Sequence, residues 1–182
     1  MNYAAHAIAV FIILIVYYLL KSKKTKIAIV GLSGAGKTRY FHSKLKNFQD
    51  LQYTTSLKIN SGQVDNIEWI DVPGNEKVFQ ACWGNIKHDL TSVYFLIDAV
   101  GFYKERRQVA NRLDQISKDF KKKIGIILVK IQDNRALEKE KIELLLEKEL
   151  KEIREIRSKN VGLDQDFIEE HHVDFYFKDE KL

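Results

Sequence analysis

Residues 31–38 read Gly31-Leu32-Ser33-Gly34-Ala35-Gly36-Lys37-Thr38, a complete match to G-x-x-x-x-G-K-[ST]. The glycines let the main chain curl until its N–H groups point inward, forming a nest for an anion. The flanks decide the fold. Lys26–Val30 (KIAIV) is a short β-branched run and predicts a buried strand, while Arg39–Lys46 predicts a helix. A helix starting there adds its positive amino end to the nest. In this setting Lys37 reaches β- and γ-phosphates, and the Thr38 hydroxyl ligates Mg²⁺. The competing reading is an ordinary glycine turn that matches by chance.

Upstream, Tyr3–Leu20 (YAAHAIAVFIILIVYYLL) carries no formal charge over 18 residues, and Lys21, Lys23, Lys24 and Lys26 follow at once. As a helix this run is about 27 Å long, close to the roughly 30 Å of bilayer hydrocarbon. His6 sits near the headgroups or stays neutral, and Tyr17 and Tyr18 fall where amphipathic aromatics favour the interface. A cleaved signal peptide has its basic residues before the apolar run; here they come after it. The expectation is one transmembrane helix with residues 3–20 in the lipid bilayer and everything after Lys21 in the cytosol. A signal peptide and a buried core helix are the alternatives. The chain therefore divides into residues 1–24, an anchor with its basic flank, and residues 25–182, one folded domain.

Composition narrows the classes. The chain has 182 residues, 45% hydrophobic and 30% charged, which excludes disorder and an all-membrane protein. A single cysteine, Cys82, excludes a disulfide framework and a cysteine-rich zinc site. The net charge of +5 permits an anionic partner surface without demanding nucleic acid.

Further elements follow from periodicity. Ser56–Asn60 and Asn66–Asp71 are strand-like around Ser61-Gly62 and suggest a hairpin. Val93–Asp98 (VYFLID), Lys123–Val129 (KIGIILV) and Val173–Phe177 (VDFYF) predict buried strands. Lys104–Phe120 predicts a helix through Val109, Leu113, Ile116 and Phe120. Arg135–Lys159 predicts a long charged helix with Ile142, Leu146, Leu150, Ile153 and Ile156 on one stripe. Alternating strands and helices imply an α/β fold: a mixed, mostly parallel sheet with helices on both faces and ligands at the carboxyl ends of the strands.

Asp71-Val72-Pro73-Gly74 closes one of those strands. A carboxylate there, beside a phosphate loop, holds Mg²⁺ through its hydration shell, and Gly74 offers its N–H to a γ-phosphate. The plain alternative is an Asp-Pro-Gly turn. Between Gly31 and Asp71 there is room for one helix and one hairpin, an order that suits small GTPases. Thr54 and Thr55 lie in that interval, and Thr55 is the better candidate to complete the Mg²⁺ shell. Cys82 and Trp83 are expected in or near the core, Asp98 in a structural role, and His171-His172 with Glu169 and Glu170 at the surface rather than on a metal.

The amino-terminal span, GLSGAGKT, Thr55-Ser56, DVPGNEK and VYFLIDAVGF together resemble the beta subunits of the signal recognition particle receptor. These are membrane-anchored small GTPases of the ADP-ribosylation-factor branch. The resemblance implies a Ras/Arf-like P-loop NTPase domain binding GTP and Mg²⁺. It implies a nucleotide site of Gly31, Leu32, Ser33, Gly34, Ala35, Gly36, Lys37, Thr38, Thr55, Asp71, Gly74 and Asp133, with Thr38, Thr55 and Asp71 serving the metal. It also implies a single-pass protein of the endoplasmic reticulum membrane. In its GTP state such a protein holds the receptor's alpha subunit, and through it the ribosome and targeting particle, using the segments around Thr55 and Gly74–Val78. Another membrane-tethered Arf-like GTPase of vesicle traffic, a nucleotide-bound scaffold without turnover, and a membrane-anchored ATPase are the alternatives.

Three departures stand out. The guanine-reading Asn-Lys-x-Asp is Lys130-Ile131-Gln132-Asp133 here, leaving Asp133 as the base reader without its usual neighbours. The water-orienting Gln after the Asp-x-x-Gly motif is Asn75, which implies slow or partner-dependent hydrolysis. Related chains carry a further helix after the last strand, so one sheet face is expected to want cover.

Overall fold

The computed structural model describes Phe11 and residues 24–45, 57–161 and 175–178. Strand β1 (Thr25–Gly31) runs into the glycine loop, and helix α1 (Lys37–Lys44) follows. Next come β2 (Asn60–Val64), β3 (Ile67–Asp71), α2 (Glu76–Ile86) and a short 3₁₀ turn, Lys87–Asp89. Strand β4 (Ser92–Asp98), α3 (Phe102–Asp119), β5 (Ile124–Val129), α4 (Lys139–Val161) and β6 (Phe175–Phe177) complete the order. The strands form one sheet in the order β2-β3-β1-β4-β5-β6. Only β2 is antiparallel to its neighbour, so the sheet is mixed and mostly parallel.

Alternation along each strand feeds two cores. Ala28 and Val30 of β1, with Val93, Phe95 and Ile97 of β4, face the larger one, where Phe79 and Trp83 of α2, Leu113 and Ile116 of α3, and Ile142 and Leu146 of α4 pack. Ile27 and Ile29, with Trp69, Leu96 and Ile127, face the other side, covered by Tyr40 and Phe41 of α1. Helices thus lie on both faces. Ion pairs lock α3 to α4: Arg106 and Arg107 meet Glu149, while Arg154 and Arg157 reach Asp114. Because the partner numbers rise together, the two helices run in the same direction.

The expected elements are present with shifts that have physical causes. The hairpin turn is Asp65-Asn66, not Ser61-Gly62, which lie inside β2. Asp65 accepts a positive φ of 54°, as its short polar side chain allows. A Cβ on Gly62 would come within 2.6 Å of Leu45, so this glycine serves close packing beneath the end of α1 rather than a turn. Helix α4 begins at Lys139 instead of Arg135 because residues 130–137 are spent on successive turns. Ile156 is 52% exposed: at 100° per residue the stripe continues to Arg157, which turns inward to Asp114.

Helix α2 was not foreseen. Cys82 is half-buried against the large core, and Trp83 is buried, its indole N–H donating to Asp119 at 2.9 Å. Among the described residues no helix is long and apolar enough to cross a membrane. The expected span at residues 3–20 lies outside the described residues apart from Phe11.

Candidate functional site

The carboxyl edge of the central strands gathers most of the expected residues. Gly31 ends β1 and is buried, Leu32 is half-buried, and Ser33 and Gly34 are exposed at the tip of the loop. Ala35 is buried, and its N–H donates to Leu32 O at 3.3 Å. Gly36 caps α1 with φ 75°, a left-handed conformation natural to glycine. Its carbonyl accepts from Tyr40 N at 3.0 Å, so the loop passes into the helix without a break.

Two side chains of the first helical turn face inward. Lys37 is 7% exposed, and its Nζ donates to Leu32 O at 2.7 Å. Burial lowers its pKa to about 8; the Asp71 carboxylate pulls upward and the Arg112 charge adds to the fall. Thr38 Oγ1 donates to Asp71 Oδ2 at 2.8 Å. Asp71 ends β3 fully buried, and burial pushes its carboxyl above the usual range, against the Thr38 hydroxyl and the Lys37 charge. Its other oxygen, Oδ1, makes no hydrogen bond of ordinary geometry among the described residues. A buried carboxylate oxygen with a hydroxyl beside it is a hard-oxygen donor set, which fits Mg²⁺.

Gly74 closes over the loop. A Cβ there would lie 2.5 Å from Ser33 N and 2.7 Å from Lys37 Nζ, so only glycine permits this approach. Asn75 then opens α2: its side-chain oxygen accepts from Lys77 N at 3.1 Å and Val78 N at 3.5 Å. The residue at the water-orienting position is thus engaged as a helix cap.

The ends of β4 and β5 are arranged differently. Lys130 has a positive φ of 59°, and its ammonium bonds the Asp98 carboxylate. The other Asp98 oxygen accepts from Val100 N at 3.0 Å and Gly101 N at 3.3 Å. Asp133 is gripped by its neighbour: Arg135 donates from Nε at 3.0 Å, from Nη2 at 2.8 Å and from its backbone N–H at 3.0 Å. Those hydrogen bonds hold the Asp133 carboxyl well below its ordinary value. Ile131 is 51% exposed, a large apolar side chain at the surface.

Lys37, Thr38, Asp71 and Gly74 therefore meet around the loop, and Asp133 stands at the same edge of the sheet. Thr55 and the histidine pair 171–172 lie outside the described residues, among which no group of potential metal ligands clusters. The Asp98–Lys130 pair was not anticipated, because its members come from separate strands and neither belongs to a motif that pairs them.

Known proteins of similar sequence and fold have related names. The mouse signal recognition particle receptor subunit beta is 28% identical over 149 residues, covering 76% of this chain and 55% of its own length. The human subunit is 26% identical over 165 residues, covering 83% and 61%. The chain thus spans a little over half the length of these curated relatives. A solved structure of the mammalian receptor superposes with a TM-score of 0.67 at 25% identity, covering 84% of this chain and 89% of that one. The Chaetomium thermophilum receptor beta chain, solved with GDP and Mg, shares the fold at a TM-score of 0.63 and 18% identity, covering 87% and 89%. The family model for the signal recognition particle receptor beta subunit matches residues 22–179, and the chain belongs to that family.

Proposed function

We propose that this chain binds GTP with Mg²⁺ and serves as the membrane-anchored subunit that recruits the alpha subunit of the signal recognition particle receptor to the endoplasmic reticulum. The observation that carries the nucleotide reading is the Thr38–Asp71 contact at 2.8 Å beneath a loop on which Gly74 rests. In this reading the N–H groups of residues 31–38 bind the phosphates, Lys37 neutralises them, and Thr38, Asp71 and Thr55 serve the metal. When bound, Mg²⁺ screens the phosphate charge. Gly74 links nucleotide state to α2, because it abuts Lys37 and directly precedes Asn75, the cap of that helix. The recruiting role is supported by family membership and by the charge-free run of residues 3–20, which in this reading is a membrane anchor with the domain on its cytosolic side. Ribosomes and the targeting particle come to the chain through the alpha subunit.

Nucleotide analysis of the purified domain lacking residues 1–24 tests this. Recovery of GTP or GDP supports it; recovery of ATP, or equal binding of adenine and guanine nucleotides, overturns it. Capture of the alpha subunit by GTP-loaded but not by nucleotide-free protein tests recruitment. Digestion of the domain by protease added to intact microsomes tests orientation.

A second reading is a nucleotide-held scaffold with little turnover. It is favoured by Asn75, whose side chain caps α2, and by the Asp133–Arg135 pair.

A further inference from the structure

A groove of about 620 Å³ adjoins the phosphate loop, walled by Leu32 and Ser33, by Gly74 and Glu76 at the start of α2, and by Arg112 of α3. Glu105 and the amides of Asn75, Gln108, Asn111 and Gln115 add to its polar lining, in which Arg112 is the one cation among the described residues. Arg112 is 3% exposed, and its guanidinium carbon lies 3.9 Å from the centroid of the Phe79 ring. One terminal nitrogen, Nη2, bonds the Glu76 carboxylate. Nε and Nη1 are buried and make no hydrogen bond among the described residues. A buried charged donor without an acceptor is costly, so such a group calls for a role. Glu76 accounts for one nitrogen only; its side chain is 61% exposed, and its other oxygen accepts from Gln80 Nε2 at 2.9 Å, a contact on its own helix that holds it when it leaves the arginine.

The groove shares Ser33 and Gly74 with the phosphate loop, and Gly74 abuts Lys37 Nζ. Lys37 abuts the glycine that walls the groove and Arg112 lines it, so an anion held there attracts both cations in addition to their own carboxylate neighbours, Asp71 and Glu76. We propose that Arg112 is a second cationic ligand for the terminal phosphate of a bound nucleoside triphosphate. Nε and Nη1 are the donors, and Glu76 competes with the phosphate for the same guanidinium. A diphosphate offers no such group, so Arg112 sets the preference for triphosphate over diphosphate. Without triphosphate, the arginine stays on Glu76 and ties the first turn of α2 to α3. This inference rests on the nucleotide-binding reading above.

The test is equilibrium titration of the detergent-solubilised full chain with fluorescent GDP and with a non-hydrolysable GTP analogue, both with Mg²⁺. Loss of one charge-assisted contact in Arg112→Gln should weaken the triphosphate analogue roughly tenfold relative to GDP. Glu76→Gln, at an exposed position that folding tolerates, should shift the same ratio the opposite way by releasing the guanidinium. An unchanged ratio in Glu76→Gln, or an equal loss of both nucleotides in Arg112→Gln, overturns the proposal. Wild-type protein that binds neither nucleotide overturns the phosphate-loop reading itself, a result distinguishable from binding with an unaltered ratio.

Discussion

The phosphate half and the base half of the site are built on opposite plans. Around residues 31–38 the donors converge on a shared space: a buried ammonium, a hydroxyl on a buried carboxylate with one oxygen to spare, and a glycine closing over them. Around residues 130–135 the charges are spent on each other, Lys130 on Asp98 and Arg135 on Asp133. The first arrangement costs folding energy until a ligand arrives. The second is satisfied without one. Affinity should therefore reside in the phosphate half, while the choice of base is weakly enforced.

The largest test removes the central cation. Lys37→Ala should weaken GTP by roughly 3–5 kcal/mol, between two and four orders of magnitude, since it leaves buried phosphate charge unpaired. Titration with labelled nucleotide measures it. A comparable loss in Asp133→Ala would break the contrast between the halves.

Next comes the cost of the unliganded lysine. Its folded pKa of about 8 lies below the ordinary lysine value of 10.5, so the unfolded chain holds the proton more tightly. At neutral pH that difference costs about 3 kcal/mol in the ligand-free protein. The cost fades as pH rises through the interval from about 8 to about 10.5, so stability should climb there. Lys37→Met should be more stable at pH 7 and lack that climb in chemical denaturation. Asp71 works in the same sense from the acid side. Its folded pKa is raised, so protonation favours the fold, and Asp71→Asn should stabilise ligand-free protein at neutral pH while abolishing the effect of Mg²⁺ on nucleotide affinity.

A smaller effect sharpens the comparison at the base end. Arg135→Ala releases the Asp133 carboxylate and should raise preference for GTP over ATP by up to about tenfold in a competition assay. No change would mean that Asp133 does not read the base. The smallest expected effect is Asn75→Ala, which removes the α2 cap and should cost about 1 kcal/mol, seen as a fall of a few degrees in melting temperature.

What could be read from the sequence follows the same division. The phosphate loop was legible because glycines, a lysine and a threonine at fixed spacing impose main-chain geometry locally. Strands β1, β4 and β5 were legible as β-branched runs. Helix α2 was not, although Asn75 at its cap and Phe79 and Trp83 one turn apart were visible, because its opening stretch, Gly74–Val78, reads as a partner-facing switch segment. The hairpin turn was misplaced because Ser61-Gly62 has turn composition, whereas the structure uses Gly62 for contact with Leu45. Arg112 could not be found in advance. It stands in an amphipathic helix rich in charge, and what buries it is Phe79 and Glu76, more than thirty positions away.

Strand β1 has one more consequence. It enters at Thr25 and delivers the chain to the phosphate loop after seven residues, a rise of roughly 20 Å. If residues 3–20 lie in lipid, the nucleotide pocket stands at the end of this strand opposite to the one the tether enters. Because β3 and β4 flank the strand in parallel on both sides, a pull on the tether loads their ladders in shear, the direction in which a sheet resists mechanical force best.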